Sequence, residues 1–331
     1  MERRTFGRTG LQVSILGFGC GAVGGLMVRG TPADQERTIA HAIEVGVNYF
    51  DTAAMYGNGE SEKNLGRVLA RLKPEVIVGT KVRIPSRDFG RIGPAIAESL
   101  DASLKRMGRE QVDIFHLHNA ITLNGGGESL SAKVVLEEVA PAFERLRDQG
   151  KLRFPGITAV GDTPALHQVI DSEKFVSAQV SYNMLNPSAG EALPAQYPAQ
   201  DYGRMFDHTQ TAGVGVIGIR VLAGGALSGT AQRHPIASPP PDPIGSANSY
   251  DADLQRARRL MPLVDQGHAG SLAEAAIRFA ISHKAMGTIL VGMATPEQFE
   301  QSLAAVNKGP LSQAALQSLA ALQRGFAGER R

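Results

Sequence analysis

The segment VIVGTKVRIPSRDFGRIGPAIAESLDASLKRMGREQVDIFHLH (76–118) contains two apolar runs, VIVGTK (76–81) and VDIFHLH (112–118), separated by a loop and a helical stretch. Neither run alternates between polar and apolar residues, which is typical of strands buried on both faces of a parallel sheet. The segment therefore predicts one β/α unit followed by the strand of the next unit.

Similar runs recur on both sides of this segment, each followed by a loop and a helical stretch. They are SILGFG (14–19), VNYFD (47–51), RFPGIT (153–158), SAQVSYN (177–183), GVIGIR (215–220) and TILVG (288–292). Eight strands alternating with helices predict an α/β fold of the TIM-barrel type, a (β/α)8 barrel. The segment RTFGRTGLQVS (4–14) has strand–turn–strand character and predicts an N-terminal β-hairpin that plugs one end. We expect one domain over residues 1–331.

Three Thr-Pro pairs predict helix starts, because a threonine hydroxyl caps a helix and proline is favoured at its first position. The pairs are Thr31-Pro32, Thr163-Pro164 and Thr295-Pro296. Two long loops, residues 119–132 and 223–250, follow predicted strands and would lie on the rim that carries active sites in barrels.

The composition excludes several classes of protein. The chain has 34 basic and 32 acidic residues, which gives no electrostatic reason to expect nucleic acid or an anionic membrane as a partner. No apolar stretch approaches the roughly 18 residues of a membrane helix, and the charged start does not resemble a secretory signal. Cys20 is the only cysteine, so no internal disulfide can form. We expect a cytoplasmic protein.

Four ionisable residues lie at or just after the carboxyl ends of consecutive predicted strands: Asp51, Tyr56, Lys81 and His118. In a barrel these ends converge on one mouth. A phenol is a poor acid at neutrality, but a nearby ammonium lowers its pKa, and a carboxylate keeps that ammonium charged. The phenol can then protonate a developing alkoxide while the imidazole orients the same oxygen. This chemistry suits carbonyl reduction or alcohol oxidation, with the hydride coming from a cofactor.

The segment NYFDTAAMYGNGESEKNLGRVL (48–69) resembles the signature of the aldo-keto reductase superfamily, and GTKV (79–82) and VDIFHLHN (112–119) are similar to its lysine and histidine segments. The later strand ends match as well, so the resemblance spans nearly the whole chain. It implies that Asp51, Tyr56, Lys81 and His118 form a catalytic tetrad with Tyr56 as general acid. We expect His116 to be a hydrogen-bonded core histidine.

The resemblance also implies a binding site for a nicotinamide dinucleotide, NAD(P)(H). Thr158 and Gln179 would bind the nicotinamide carboxamide, and the helix capped at Thr295, after the eighth strand, would hold the adenine end. The full set of implied cofactor-binding residues is Gly19, Cys20, Gly21, Asp51, Thr158, Gln179, Arg220, Leu222, Gly225, Leu227, Gly292, Gln298 and Gln301.

The chain departs from the family pattern where the 2′-phosphate of NADP usually meets a lysine or arginine. The matching residues are Gly292, Met293, Ala294 and Gln298, all uncharged. A charge-assisted hydrogen bond contributes about 1.5–3 kcal/mol, so its loss would weaken discrimination for NADP by about tenfold or more. Lys308 or Arg220 could substitute, so NAD and NADP both stay open.

Two other departures affect the nicotinamide end. Arg220 follows Ile219 where the family commonly has an aromatic that stacks on the nicotinamide. It could cover the ring, pair with a phosphate, or be a salt-bridged arginine of the rim. Thr158-Ala159 replaces a Ser-Asn pair.

Two other motifs suggest different chemistry. GCGAVG (19–24) satisfies the GxGxxG dinucleotide fingerprint, but the next predicted helix starts only at Thr31, so we interpret these glycines as a rim loop. His116 and His118 imitate the metal pair of barrel hydrolases, yet the later strands end without further imidazoles or carboxylates. We predict no metal site.

We therefore predict an NAD(P)-dependent oxidoreductase that interconverts a small-molecule carbonyl, such as an aldehyde, ketone or aldose, and an alcohol. The predicted rim loops carry few aromatic residues, which favours small or polar substrates. One alternative is a regulatory barrel that binds a dinucleotide with little turnover; a weaker one is a metal-dependent hydrolase using His116 and His118. Nothing in the pattern indicates an oligomeric state.

Overall fold

Eight parallel strands close into a barrel, as the apolar runs predict. The structure is a computed structural model that describes residues 1–329, so the last two residues of the predicted domain lie outside it. In barrel order, the strands are β3 (Leu16–Gly19), β4 (Tyr49–Asp51), β5 (Ile77–Val82), β6 (Val112–Leu117), β9 (Leu152–Ala159), β10 (Ser177–Ser181), β11 (Gly215–Ile219) and β12 (Met286–Gly292). Strand β12 pairs with β3 and closes the barrel. The fold is a (β/α)8 TIM barrel.

Helices connect the strands and surround the barrel. They are α1 (Leu26–Arg29), α2 (Pro32–Glu44), α3 (Glu60–Leu72), α4 (Ile92–Met107), α5 (Ala132–Val134), α6 (Ala140–Asp148), α7 (Thr163–Asp171), α8 (Met205–Thr211), α9 (Tyr250–Arg258), α10 (Pro262–Asp265), α11 (Leu272–Ser282), α12 (Pro296–Asn307) and α13 (Gln313–Arg324). A π-helical turn, Val135–Val139, joins α5 to α6, and 3₁₀ turns span Gly7–Thr9, Ser86–Asp88 and Ala223–Ser228. No helix within residues 1–329 combines the length and the apolar character needed to cross a membrane.

The predicted N-terminal hairpin covers the amino end of the barrel. Strands β1 (Arg3–Thr5) and β2 (Gln12–Ser14) pair antiparallel. Phe6, in the turn between them, is fully buried in an apolar cluster with Tyr49 and Ile217. A Cβ atom on Gly215 would lie 2.7 Å from the Phe6 ring, so only glycine fits there. The apolar plug leaves the opposite, carboxyl end as the open mouth.

The helix starts at Thr31 and Thr295 are confirmed: each threonine side chain caps its helix by accepting a backbone N–H bond. The prediction at Thr163 was wrong by one residue. Asp162 holds the cap position, and the Thr163 hydroxyl donates instead to the carbonyl of Asp201. The hydroxyl that a local rule assigns to the cap is thus used in a tertiary contact with a loop distant in sequence.

Two predicted loops contain more regular structure than the sequence suggests. Within residues 119–132, β7 (Ile121–Thr122) and β8 (Leu130–Ser131) form a short parallel pair. The glycine-rich stretch after β3 leads directly into α1, a single helical turn, before the predicted helix start at Thr31. A Cβ on Gly24 would lie 2.3 Å from the Met293 backbone, so these glycines pack the loop against the end of β12.

Candidate active site

The four residues predicted to be catalytic meet at the carboxyl mouth of the barrel. Asp51 ends β4, Lys81 lies in β5, and His118 directly follows β6. The Lys81 ammonium donates to Asp51 Oδ1 and, at 2.8 Å, to the carbonyl of Thr52. Lys81 Nζ lies 4.8 Å from the centre of the Tyr56 ring. The rings of Tyr56 and His118 meet edge to face, with centroids 5.9 Å apart. Residues from three strands and one loop therefore border one small space.

A tight loop between β4 and α3 brings Tyr56 over this space. The Tyr56 N–H donates to the carbonyl of Ala53 at 3.0 Å, so the chain turns directly after the strand. Gly57 and Gly59 both have positive φ, 60° and 91°, a conformation that side chains other than glycine rarely adopt. They reverse the chain so that α3 begins at Glu60. The glycines around Tyr56 thus serve the geometry of the loop.

Burial governs the electrostatics of the Asp51–Lys81 pair. Asp51 is 2% exposed and Lys81 is 1% exposed. Burial raises the pKa of the Asp51 carboxyl, while Lys81 and two further hydrogen bonds oppose the rise. Burial by itself would lower the pKa of Lys81, but interactions with Asp51 and then Tyr56 raise it further than burial lowers it. Lys81 therefore keeps its proton at neutral pH.

The phenol of Tyr56 differs from the sequence expectation. Burial raises its pKa above the ordinary value, and the Lys81 ammonium offsets only part of this rise. The expected lowering by the lysine is present but is outweighed by loss of solvent, which local chemistry alone did not reveal. Tyr56 thus holds a proton at neutral pH.

His116, in β6, and His118, directly after the strand, have different surroundings. His116 is fully buried, and its Nε2 lies 2.9 Å from the Ser177 hydroxyl, so it is the hydrogen-bonded core histidine that the sequence predicts. His118 lies at the mouth. Burial, followed by the charges of Lys81 and Arg83, lowers the pKa of His118 to about 3. Its Nδ1 is buried and has no hydrogen-bond partner within residues 1–329. His118 is therefore a neutral imidazole.

Tyr49 is a site residue that the sequence reading missed. Its hydroxyl donates to Asp51 Oδ2 at 2.9 Å, and the amide of Gln179 donates to the same oxygen at 2.7 Å. A Cβ on Gly79 would lie 2.6 Å from the Tyr49 hydroxyl, so the glycine in GTKV makes room for this phenol. Residues two apart on a strand point to the same face, and that spacing could have identified Tyr49 beside Asp51.

The residues implied for the nicotinamide end lie in β9 and β10, the two strands that follow β6 around the barrel. Thr158 in β9 and Gln179 in β10 are paired in register. Both are nearly fully buried, and the Thr158 hydroxyl has no hydrogen-bond partner within residues 1–329. Gln179 connects the two halves of the site through Asp51.

The remaining implied cofactor residues follow the rim around β3, β11 and β12. Gly19 pairs with Gly292 and with Asp51 in the strand register. Cys20 is buried, and burial raises the pKa of its thiol. Gly21 follows in the loop before α1, Leu222, Gly225 and Leu227 lie in or beside the 3₁₀ turn after β11, and Gln301 lies on the exposed surface of α12.

Arg220 directly follows β11 with φ of 55°, which is unusual for a side chain other than glycine. Two bonds hold this backbone: Asn183 Nδ2 and the N–H of Ala223 donate to the Arg220 carbonyl at 3.0 and 2.7 Å. Burial lowers the pKa of the guanidinium. Arg220 therefore lies at the carboxyl end of β11, the strand that pairs with β12.

The first turn of α12 carries acceptors and an acid. The Gln298 side chain accepts from the N–H of Ala294 at 2.7 Å. Lys308, one of the two candidate substitutes for a phosphate-binding cation, lies beyond the far end of this helix and pairs with Glu274 at 2.7 Å. Arg37 approaches this turn, but its guanidinium lies 3.1 Å from Asp34 and 3.9 Å from Glu297. Of the two proposed substitutes, Lys308 is thus placed away from this turn.

The histidine pair does not extend to a cluster of metal ligands. Within residues 1–329, no group of three or more His, Cys, Asp or Glu side chains is arranged to hold a metal ion. The Asp51 carboxylate at this site already accepts hydrogen bonds from Lys81, Tyr49 and Gln179.

Comparison with known proteins agrees with this architecture. A model of the Aldo/keto reductase family matches residues 15–324. L-galactose dehydrogenase of Arabidopsis thaliana is 28% identical over 318 residues, which cover 93% of this chain and 89% of the relative. Pyridoxal 4-dehydrogenase of Microbacterium luteolum is 27% identical, over 91% of this chain and 92% of that one. The structure of an aldo-keto reductase from Bacillus halodurans, in its holo form, has the same fold, with a TM-score of 0.72 at 24% identity over 97% of this chain and 96% of that chain.

Proposed function

The chain belongs to the aldo/keto reductase family of oxidoreductases, and from this premise we propose that it interconverts a small carbonyl compound and its alcohol with a nicotinamide dinucleotide. The observation that carries the proposal is the buried contact of Lys81 with both Asp51 and the Tyr56 ring at the open mouth. A buried ammonium beside a phenol has a direct use in proton transfer to oxygen.

We assign the proton transfer to Tyr56. In reduction its hydroxyl protonates the carbonyl oxygen, and the Lys81 ammonium stabilises the phenolate that remains. In oxidation the phenolate removes the proton of the alcohol. Since burial raises the pKa of Tyr56, the residue is protonated at neutral pH and suited to the reductive direction.

The neutral imidazole of His118 orients the substrate oxygen. Its pKa of about 3 means that it carries no charge at physiological pH and acts through hydrogen bonding. Its edge-to-face contact with Tyr56 keeps both groups beside the same small space. Asp51 accepts a hydrogen bond from Lys81 and so fixes the position of the ammonium.

The residues present fit a nicotinamide dinucleotide. The unpartnered Thr158 hydroxyl next to the Gln179 amide suits a carboxamide, which needs one acceptor and one donor. Gln179 donates to Asp51 through Nε2, which leaves its carbonyl oxygen for the ligand. When bound, the cofactor would supply or accept the hydride. The proton would be transferred by Tyr56, which the chain itself supplies.

We further propose that the enzyme prefers NAD(H) to NADP(H). Lys308 lies at the opposite end of α12 and pairs with Glu274, and Arg37 lies between two carboxylates. The Glu297 carboxylate at the same turn would repel a 2′-phosphate. Uncharged and acidic groups suit the 2′-hydroxyl of NAD.

The test is turnover of small aldehydes and sugars with NADH, NADPH, NAD⁺ and NADP⁺, followed by cofactor absorbance. We expect reduction of reactive aldehydes, and we include sugar oxidation because L-galactose dehydrogenase is among the relatives. A regulatory barrel would bind the dinucleotide without oxidising it when a reactive aldehyde is added in a single-turnover experiment. Tight dinucleotide binding without hydride transfer would therefore contradict the proposal.

A further inference from the structure

Arg83 extends the inner face of strand β5 toward solvent. The strand ends at Val82, and residues two apart on a strand share a face, so Arg83 follows Lys81 on the interior side. Each residue advances about 3.3 Å, which puts the Arg83 backbone roughly 7 Å above that of Lys81. Arg83 is thus the next residue on this face after the buried Lys81.

The register of the neighbouring strand places His118 beside Arg83. Lys81 pairs with His116 and Val82 pairs with Leu117. The N–H of His118 donates to the carbonyl of Val82 at 2.7 Å, so the ladder continues beyond the strands. Paired positions on adjacent strands are about 4.8 Å apart. The two residues therefore form the next interior layer, above Lys81 and His116.

The guanidinium of Arg83 has no ion-pair partner within residues 1–329. Its charge reaches both His118 and Glu128, since it contributes to lowering the pKa of each. Glu128, however, is engaged with Ser86, whose hydroxyl donates to it at 2.7 Å. Arg83 itself is exposed. An arginine with no ion-pair partner among the described residues thus lies at this end of the barrel, next to His118, the group proposed to hold the reacting oxygen.

We propose that Arg83 binds an anionic group of the substrate, so that the preferred substrates are aldehydes or ketones that also carry a carboxylate or a phosphate. The inference rests on the proposed function and names the substrate class for the same site. A guanidinium presents a planar fork of donors that matches both anions, and such charge-assisted bonds are about twice as strong as neutral ones. The anion would lie a few carbon atoms from the carbonyl that Tyr56 protonates.

The reaction itself is unchanged by this contact. One carbonyl, one reduced dinucleotide and one proton give one alcohol and one oxidised dinucleotide, with the hydride on carbon and the Tyr56 proton on oxygen. Arg83 takes no part in either transfer. It is a specificity-determining residue, so its removal should affect charged substrates and spare neutral ones.

The experiment compares two matched substrate pairs. Succinic semialdehyde and butanal differ by a carboxylate, and glyceraldehyde 3-phosphate and glyceraldehyde differ by a phosphate. We measure kcat/KM for each with the parent enzyme, Arg83→Met, Arg83→Lys and the control Arg87→Met. Arg87 is an exposed arginine in the following 3₁₀ turn, and its side chain is 83% exposed.

In the parent enzyme, we expect the anionic member of at least one pair to be favoured by about tenfold or more. Arg83→Met should abolish that preference through the anionic substrate alone and change kcat/KM for the neutral member by less than about twofold, while Arg83→Lys keeps part of it. Arg87→Met should leave the preference unchanged.

Two results would overturn the inference while leaving the proposed function intact. One is turnover without a preference in either pair; the other is an Arg83→Met variant that loses activity equally on both members. If the parent enzyme turns over none of the four compounds nor any other carbonyl, the proposed function fails, and the inference fails with it.

Discussion

Replacing Lys81 by methionine removes one partner of a fully buried ion pair and leaves the other. Methionine has nearly the length of lysine, so the change removes the charge with little loss of volume. Asp51 would keep its bonds from Tyr49 and Gln179 but would lose the ammonium that opposes the effect of burial. Breaking a buried pair in this way typically costs about 3–5 kcal/mol of unfolding free energy.

The cost should depend on pH in a defined direction. With Lys81 gone, burial raises the pKa of Asp51 still further above its unfolded value, which is about 3.9. Between these two values the folded state binds more protons than the unfolded state, so the variant loses stability as pH rises through that window. Relative to the parent protein, Lys81→Met should therefore be least destabilised under acidic conditions and most destabilised at neutral pH.

Urea unfolding of the parent, Lys81→Met, Asp51→Asn and the double variant at several pH values measures this coupling. Because Asn carries no charge, the double variant should recover part of the stability that Lys81→Met loses, and the added pH dependence should vanish. Lys63→Met is the control, since its ion pair with Glu60 is exposed and contributes about 1 kcal/mol or less. Additive losses, or a loss equal to that of the control, would refute the assignment of a buried charged pair.

Three further predictions concern the reaction and its cofactor. Tyr49→Phe should lower kcat by about tenfold, because the Asp51 carboxylate loses a hydrogen bond. The control Tyr197→Phe loses a buried hydrogen bond of 3.1 Å to a backbone carbonyl and should leave kcat unchanged. Equal effects of the two variants in steady-state assays would contradict a positioning role for Tyr49. Titrations that follow cofactor fluorescence should give a dissociation constant for NADH about tenfold or more below that for NADPH, and equal constants would oppose the proposed preference. The kcat/KM for alcohol oxidation should rise with pH toward the raised pKa of Tyr56. The profile should show no histidine inflection near neutrality, because the pKa of His118 is about 3. An inflection that disappears when His118 is mutated would count against a neutral imidazole.

The barrel could be predicted from the sequence because each strand is buried on both faces. An apolar run without alternation is visible in the letters alone, and all eight runs became barrel strands. Helix starts at Thr31 and Thr295 follow from local chemistry, since the capping hydroxyl and its partner are close in sequence. The cap before α7 could not be predicted this way, because Thr163 bonds to Asp201 in a distant loop.

The convergence of the candidate site was predictable, but its electrostatic balance was not. Strand ends meet at the mouth of a barrel, so Asp51, Lys81 and His118 could be expected together. The pKa of Tyr56 depends mainly on how far the folded chain excludes solvent from the phenol, and a sequence motif does not contain that information. The contact between Gln179 and Asp51 joins residues on opposite sides of the barrel and required the closed structure.

The most direct measurement of the central claim is the single-turnover rate of hydride transfer in Tyr56→Phe. The change removes only a hydroxyl, so the affinity for the reduced dinucleotide, titrated on the same preparation, should stay near that of the parent. We predict that the rate falls by about 10²–10⁴, the usual contribution of a general acid. A rate within a few-fold of the parent, with the cofactor fully bound, would contradict the role of this phenol as the proton donor.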